Sequence, residues 1–212
     1  MTRFAIFAAA ALILAACQTE RPYRGEYQPP VPRGGKETSS PGISAPPRGR
    51  VAPASGPIAV LAGGQAGRYM DEQEAELRQR LRGSGVRVAR VGDVIMLVMR
   101  NDILFAGNGA DLSRPALRTV DAVGGVLRHY DRTLIEVNGY TDTTGKDTYN
   151  LKLSQRRAEA VADVLVDDGI NPARISPRGF GETHLRIPTG DNVNEPRNRR
   201  VEIRIVPHTA QS

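Results

Sequence analysis

The sequence predicts an α/β sandwich, a βαβαβ arrangement with a mixed sheet covered by helices on one face, plus an N-terminal hairpin. Three observations lead there. Beyond about residue 68, apolar residues switch between strand-like alternation and helical spacing. Gly, Pro, Asn and Asp sit at the joins between those segments. Hydrophobic residues make up 40% and charged residues 25% of the 212-residue chain, enough for one core plus extensions.

The elements follow in chain order. Pro57 to Gly67 is a small apolar, glycine-rich patch, and Arg68 to Arg82 has helical composition. Met70, Leu77 and Leu81, with Ala75 beside them, form a narrow stripe suited to packing on the following domain, and Gly83 ends the helix. Val86 to Met99 reads as a hairpin turning at Gly92-Asp93, and Ile103-Leu104-Phe105 as a further short strand. Ser113 caps a helix with Pro115 in its first turn, and Leu117, Val120, Val123 and Leu127 recur at helical spacing toward His129. His129 reads as a residue of the C-terminal turn rather than a ligand. Leu134 to Tyr140 is a strand and Thr141 to Asp147 a loop. A long helix from Thr148 to Asp168 buries Leu153, Val161 and Leu165 and stops at Gly169. After a turn at Asn171-Pro172, Ile175 to Phe180 leads into a loop through Arg197, and Arg200 to Val206 is the last strand. Strand, helix, strand, helix, strand after a hairpin is the order that gives the sandwich.

Ahead of this region the chain reads differently. Met1-Thr2-Arg3 is a short positive start, and Phe4 to Leu14 is an unbroken apolar run. That run is too short to span a bilayer but suits the core of a signal peptide. Leu14-Ala15-Ala16-Cys17 follows, with the only cysteine of the chain. Nine of the 15 prolines lie between Pro22 and Pro57, and apolar periodicity is almost absent there, so this stretch reads as a disordered tether. The expected organisation is a signal peptide over 1–16, Cys17 and a Pro-rich tether over 17–60, a helix and hairpin strand over 61–90, and the main domain over 91–210.

Composition also excludes several classes. The net charge of +6 suits an anionic polymer, anionic lipid, nucleic acid or merely a soluble surface. Six Tyr, four Phe and no Trp make a poor platform for stacking bases, so no nucleic acid is expected as a partner. With one cysteine and three scattered histidines, His129, His184 and His208, neither an intrachain disulfide nor a metal site is expected, and no cofactor is implied.

Several ordered motifs then carry a resemblance. They are Gly139-Tyr140-Thr141-Asp142-Thr143-Thr144-Gly145, Asn150, Leu153-Ser154-Gln155-Arg156-Arg157-Ala158, Arg178-Gly179-Phe180-Gly181-Glu182, and Asn198-Arg199-Arg200-Val201-Glu202-Ile203. Together they resemble the OmpA C-terminal peptidoglycan-binding family over roughly residues 64 to 207, and Gly67-Arg68-Tyr69-Met70-Asp71 through Met99 resembles the YiaD-type lipoproteins within it. The resemblance implies a non-catalytic module that grips peptidoglycan. Asp142 would take the side-chain ammonium of meso-diaminopimelate, and Arg157, placed near the start of its helix, that residue's carboxylate. An Arg fork suits a carboxylate because it binds both oxygens. Asn150 and Arg199 would complete the site, Arg199 as a second cation, with Thr141 and Thr143 as loop contacts. The alternative is that Asp142 and Arg157 pair with each other as scaffold. The Asn108-Gly109 bend can line the rim, and Arg200 reads as a structural charge. Leu185, where relatives often carry proline, and Pro196 leave the path of residues 183–197 open.

By the same resemblance Leu14-Ala15-Ala16-Cys17 is a lipobox. Cys17 would then be acylated after cleavage behind Ala16, and Gln18 would send the protein to the outer membrane, facing the periplasm. A plain secretory signal with an incidental cysteine is the alternative. Two other functions compete. An envelope assembly scaffold would recruit partner proteins through the tether and the Met70–Leu81 helix. A wall hydrolase would need a carboxylate pair drawn from Asp142, Asp147, Glu182 and Glu195.

Overall fold

The computed structural model describes residues 54–62 and 64–210. The expected signal peptide, Cys17 and the expected tether up to residue 53 lie outside the described residues.

Ten elements follow one another: α1 (Ala66–Arg80), β1 (Arg87–Val91), β2 (Val94–Arg100), α2 (Asn101–Leu104), α3 (Arg114–His129), β3 (Thr133–Tyr140), α4 (Asp147–Asp167), a 3-10 turn (Pro172–Arg174), β4 (Ile175–Gly179) and β5 (Arg200–Pro207). The strands form one sheet in the order β1-β2-β5-β3-β4, with β3 and β4 parallel and every other pair antiparallel. The expected mixed sheet with helices on one face is therefore present.

Strand periodicity explains the two faces. Ile95, Leu97 and Met99 of β2, Val201, Ile203 and Ile205 of β5, and Ile135 and Val137 of β3 alternate along their strands and are buried together. They meet Val120, Val123 and Leu127 of α3 and Val161 and Leu165 of α4. The opposite face carries polar pairs such as Arg204–Glu136 at 2.8 Å. Ser113 caps α3 by accepting from the Ala116 amide at 3.2 Å, with Pro115 in the first turn as the sequence indicates.

Some expectations need correction. Ile103-Leu104-Phe105 is not a strand. Asn101–Leu104 forms a single helical turn, and Phe105 makes only an isolated bridge to Leu112. A three-residue apolar run has no period to read, and here its burial is satisfied by a turn. The first strand of the βαβαβ run is β2, the second arm of the hairpin. A third helix joins the covering layer, because α1 packs Met70 and Leu77 into the same core. Ala75 is exposed, and Gln73 occupies the buried position between them. The outer face of α1 carries i,i+4 pairs, Arg68–Glu72, Arg78–Glu74 and Arg80–Glu76.

Residues 54–60, assigned to the tether by composition, and Leu61 after them are fastened to one end of the domain. Ala54 N donates to Gly169 O at 3.2 Å, Asn171 Nδ2 to Gly56 O at 2.9 Å and Leu61 N to His208 O at 2.8 Å. Leu61 itself is buried. Composition missed this because backbone groups make most of the contacts, so the side chains leave no pattern.

At that same end the 3-10 turn supplies Arg174, which is buried. Its guanidinium donates to Thr133 O at 2.7 Å, Leu127 O at 2.9 Å and Tyr130 O at 2.8 Å. It thereby satisfies carbonyls left open where α3 ends and β3 begins. Burial pulls this guanidinium below its ordinary value.

One contact fixes α4 against the sheet. Gly139 of β3 and Gly179 of β4 are register partners, and both lie under the turn of α4 at Ser154-Gln155. A Cβ on Gly139 would stand 2.2 Å from Ser154 O, and one on Gly179 2.3 Å from Gln155 N. The helix replaces those absent methyls with polar contacts: Gly179 N donates to Gln155 Oε1 at 2.6 Å and Gly181 N to Ser154 Oγ at 2.8 Å. Gly139→Ala is expected to destabilise the fold by about 1–3 kcal/mol through this overpacking. Urea unfolding followed by circular dichroism measures it, and an unchanged midpoint would refute the close-approach account.

Candidate functional site

The site lies where β3 runs into the loop ahead of α4. Because the glycine notch lets α4 sit down on the sheet, the residues that end β3 and the inner face of α4 close on one another. The loop from Phe180 to Arg199, between β4 and β5, forms the remaining wall. It has no regular secondary structure, but it is well tied. Thr143 Oγ1 donates to Gly190 O at 2.7 Å and accepts from Val193 N at 3.0 Å. Asn192 N donates to Thr143 O at 2.9 Å, and Asn192 Oδ1 accepts from Gly145 N at 3.3 Å. Asn192 holds φ +56°, a left-handed backbone that Asn tolerates better than most residues. Asn198 is fully buried and pairs both ways with the Ile187 backbone, Asn198 Nδ2 to Ile187 O at 2.9 Å and Ile187 N to Asn198 Oδ1 at 2.8 Å. This settles the path of residues 183–197 that the sequence left open.

These walls enclose an open cavity of about 370 Å³ lined by Thr141, Asp142, Asn150, Arg157 and Arg199, with Asn108 and Asn194 at its margin. Four of the residues named from sequence are thus brought together: Asp142, Arg157, Asn150 and Arg199. Thr141 also faces the cavity, and its buried Oγ1 has no hydrogen-bond partner. Thr143 does not line it. Its hydroxyl is used to hold the 190–193 segment, so its contribution is to the wall.

Asp142 is buried and half neutralised. Its Oδ2 accepts from Arg199 Nη1 at 2.6 Å, and its Oδ1 accepts from the Thr144 amide at 3.2 Å. Arg199 also donates to Asn194 Oδ1. Asn150 Nδ2 lies within bonding distance of Glu182 Oε2, Thr144 O and Asp142 O, at 2.7, 3.1 and 3.3 Å, and so braces the loop from the first turn of α4.

Arg157 lies in the middle of α4 rather than near its start. The helix begins at Asp147, and Arg157 faces the cavity from its third turn. It does not pair with Asp142. Its Nε donates to Gly109 O at 2.9 Å and its Nη2 to Asn108 O at 3.0 Å, while the guanidinium carbon stands 5.2 Å from the centre of the Phe105 ring. The Asn108-Gly109 bend therefore takes part through its carbonyls, by orienting this cation. Burial pulls Arg157 down to about 10, leaving it charged at neutral pH. Nη1 makes no hydrogen bond to a described residue. Arg200, next in sequence to Arg199, is structural as expected. It donates to Glu202 Oε1 at 2.7 Å and stacks 3.9 Å from the centre of the Tyr140 ring.

Two guanidinium groups and one carboxylate thus face one cavity, and one of the cations already offsets the carboxylate. With one cation offset and the other not, such a site favours a ligand that carries at least one carboxylate. Among the described residues no group of His, Cys, Asp or Glu is arranged to hold a metal ion.

The structure is an α/β domain with an open charged cavity at one end of a mixed sheet. Comparison with known proteins gives it a family. The OmpA family model matches residues 104–199. The chain is 36% identical over 210 residues to an Escherichia coli (strain K12) protein named Probable lipoprotein YiaD, covering 93% of each. Among solved structures, a MotB-like protein from Desulfovibrio vulgaris superposes with a TM-score of 0.58 at 24% identity, over 67% of this chain and 95% of that one. The cell wall anchor of the T6SS from Pseudomonas aeruginosa does so at 0.53 and 28% identity, over 62% and 96%. The chain belongs to the OmpA family, among its YiaD-type members.

Two outcomes follow from this geometry. Arg157→Lys keeps a charge but cannot reach both carbonyls in one plane, so a loss of about 1–3 kcal/mol in urea unfolding is expected. An unaltered midpoint would mean that those two bonds add nothing. Glu195 accepts from Arg197 Nε at 2.9 Å, Arg197 Nη2 at 2.7 Å and the Arg197 amide at 3.0 Å, which hold its carboxyl down to about 2. A depressed folded-state value means that this contribution is full above the ordinary carboxylate range and fades as pH falls toward 2. Carbon-13 titration of the Glu195 carboxyl checks it, and a midpoint near 4.5 would contradict it.

Proposed function

We propose that the protein is a non-catalytic peptidoglycan-binding module, and that its cavity takes the meso-diaminopimelate of the stem peptide. In this reading Asp142 receives the side-chain ammonium, exchanging part of its contact with Arg199 for it. Arg157 and Arg199 take the carboxylate, Arg157 with the Nη1 that no described residue occupies. Asn150 keeps the loop in place, and the free Thr141 hydroxyl is available as a further donor. The carrying observation is the convergence of Asp142, Arg157 and Arg199 on one cavity from three separate segments of the chain. Membership of the OmpA family supports the ligand class, as does the likeness to a protein described as a cell wall anchor.

Cys17 is proposed as the acylated residue that holds the protein on the periplasmic face of the outer membrane, with residues 17–53 as the tether to the wall. Two or more acyl chains anchor a protein stably, at about 0.8 kcal/mol per buried methylene. The Escherichia coli relative, whose name is Probable lipoprotein YiaD, supports this.

Hydrolysis is disfavoured by how the carboxylates are used. A glycosidase needs one that keeps its proton near neutral pH. Asp142 is committed to Arg199, Glu182 to Asn150, Glu195 is held ionised by Arg197, and Asp147 is exposed at the start of α4 with no apolar pocket around it. A scaffolding role through the Met70–Leu81 stripe is also disfavoured, because Met70, Leu77 and Leu81 are buried in the domain's own core.

Sedimentation with purified sacculi tests the proposal. The full chain should pellet with wall material containing diaminopimelate, and Asp142→Ala or Arg157→Ala should reduce the bound fraction at least tenfold, in line with lost charge-assisted contacts. Undiminished pelleting by both variants would sink the site, and a clearing band in a wall-containing gel would sink the non-catalytic assignment.

A further inference from the structure

We infer that the exposed shelf of α4 beside the cavity receives a second residue of the same wall peptide, the acidic residue that acylates the diamino acid. The inference rests on the wall-binding reading above and extends its footprint. Tyr149 and Leu151 are large apolar side chains left 54% and 51% exposed. With Lys152, Gln155 and Arg156 they frame a shallow, mainly apolar surface. Tyr149 lines both this surface and the cavity, so the two adjoin at its ring. A ligand leaving the cavity past Tyr149 meets the shelf next.

The charges of the shelf indicate what it takes. Lys152 and Arg156 are four residues apart on α4 and therefore neighbours. Unlike the arginines of α1, each paired with a glutamate, neither has a carboxylate partner among the described residues. An apolar strip flanked by two free cations suits a carboxylate on a short methylene stem. In a stem peptide the diamino acid is acylated by a γ-linked glutamate, whose α-carboxylate stays free. Its methylenes would lie on Tyr149 and Leu151, and its carboxylate would face Lys152 and Arg156.

An anionic lipid surface is the competing occupant, and the placement of the shelf argues against it. The chain arriving from the N-terminal side docks at the other end of α4, through Ala54 to Gly169 and Gly56 to Asn171. Lys152 and Gly169 are separated by about 25 Å along the helix axis, at about 1.5 Å per residue. The shelf lies toward the cavity end and away from the end where residues 54–61 are fastened.

The test compares γ-D-glutamyl-meso-diaminopimelate with its isoglutaminyl analogue, which differs only in that the free carboxylate is amidated. Each is titrated into the purified full chain by calorimetry or NMR. The acid should bind about fivefold tighter than the amide, the scale of exposed charge contacts. The double variant K152A/R156A should remove that ratio while keeping the affinity for the amide. Equal affinities in the unaltered protein, or a ratio that survives K152A/R156A, would overturn the shelf assignment and leave the cavity assignment standing. Failure of both ligands to bind would instead overturn the cavity reading and this one with it. Loss of phosphatidylglycerol vesicle binding in K152A/R156A with the peptide ratio intact would reassign the shelf to lipid.

Discussion

The close seating of α4 on β3 and β4 is the constraint on which the rest of the structure depends. Two glycines in register remove the side chains that would otherwise hold the helix away, and Gln155 and Ser154 accept from the amides of Gly179 in β4 and Gly181 just beyond it. Leu153, Val161 and Leu165 then meet the sheet core. Arg157, one turn beyond the contact, is carried to the cavity together with Asn150, one turn before it. Interiors are packed at near-crystalline density, so such a contact leaves the helix little room to shift. The fold and the site share this one junction.

The cavity illustrates how a charged site is kept open. A buried carboxylate beside a buried guanidinium would ordinarily collapse into an ion pair, which offsets part of the desolvation of both. Here the two are held apart by other partners. Arg157 is oriented by two backbone carbonyls and the Phe105 ring, while Asp142 is bonded by Arg199 and an amide. Neither is left bare, and neither satisfies the other. A ligand with both charges can therefore enter between them without first breaking an Asp142–Arg157 bond.

The two ends of the domain have different tasks. At one end, Arg174 and the strap of residues 54–61 tie together the end of α3, the start of β3 and the end of β5. At the other lie the cavity and its shelf. β3, β5 and α4 run between these two ends.

Periodicity and punctuation in the sequence determined the strands β2, β3 and β5, the helices α3 and α4 and the face each buries, because a packed α/β core admits only one apolar pattern per element. They did not determine the Ile103–Phe105 segment or the strap, where the run is too short or the contacts belong to the backbone. For the site, the resemblance named Asp142, Arg157, Asn150 and Arg199, and it named them as a set without their pairing. That Asp142 takes Arg199 while Arg157 takes the carbonyls of Asn108 and Gly109 was decided by tertiary structure, since partners 57 and 48 residues apart leave no local trace. The same holds for the glycines. The chain shows only that Gly139 and Gly179 stand in motifs, whereas the reason that nothing larger fits is the backbone of a helix laid across them.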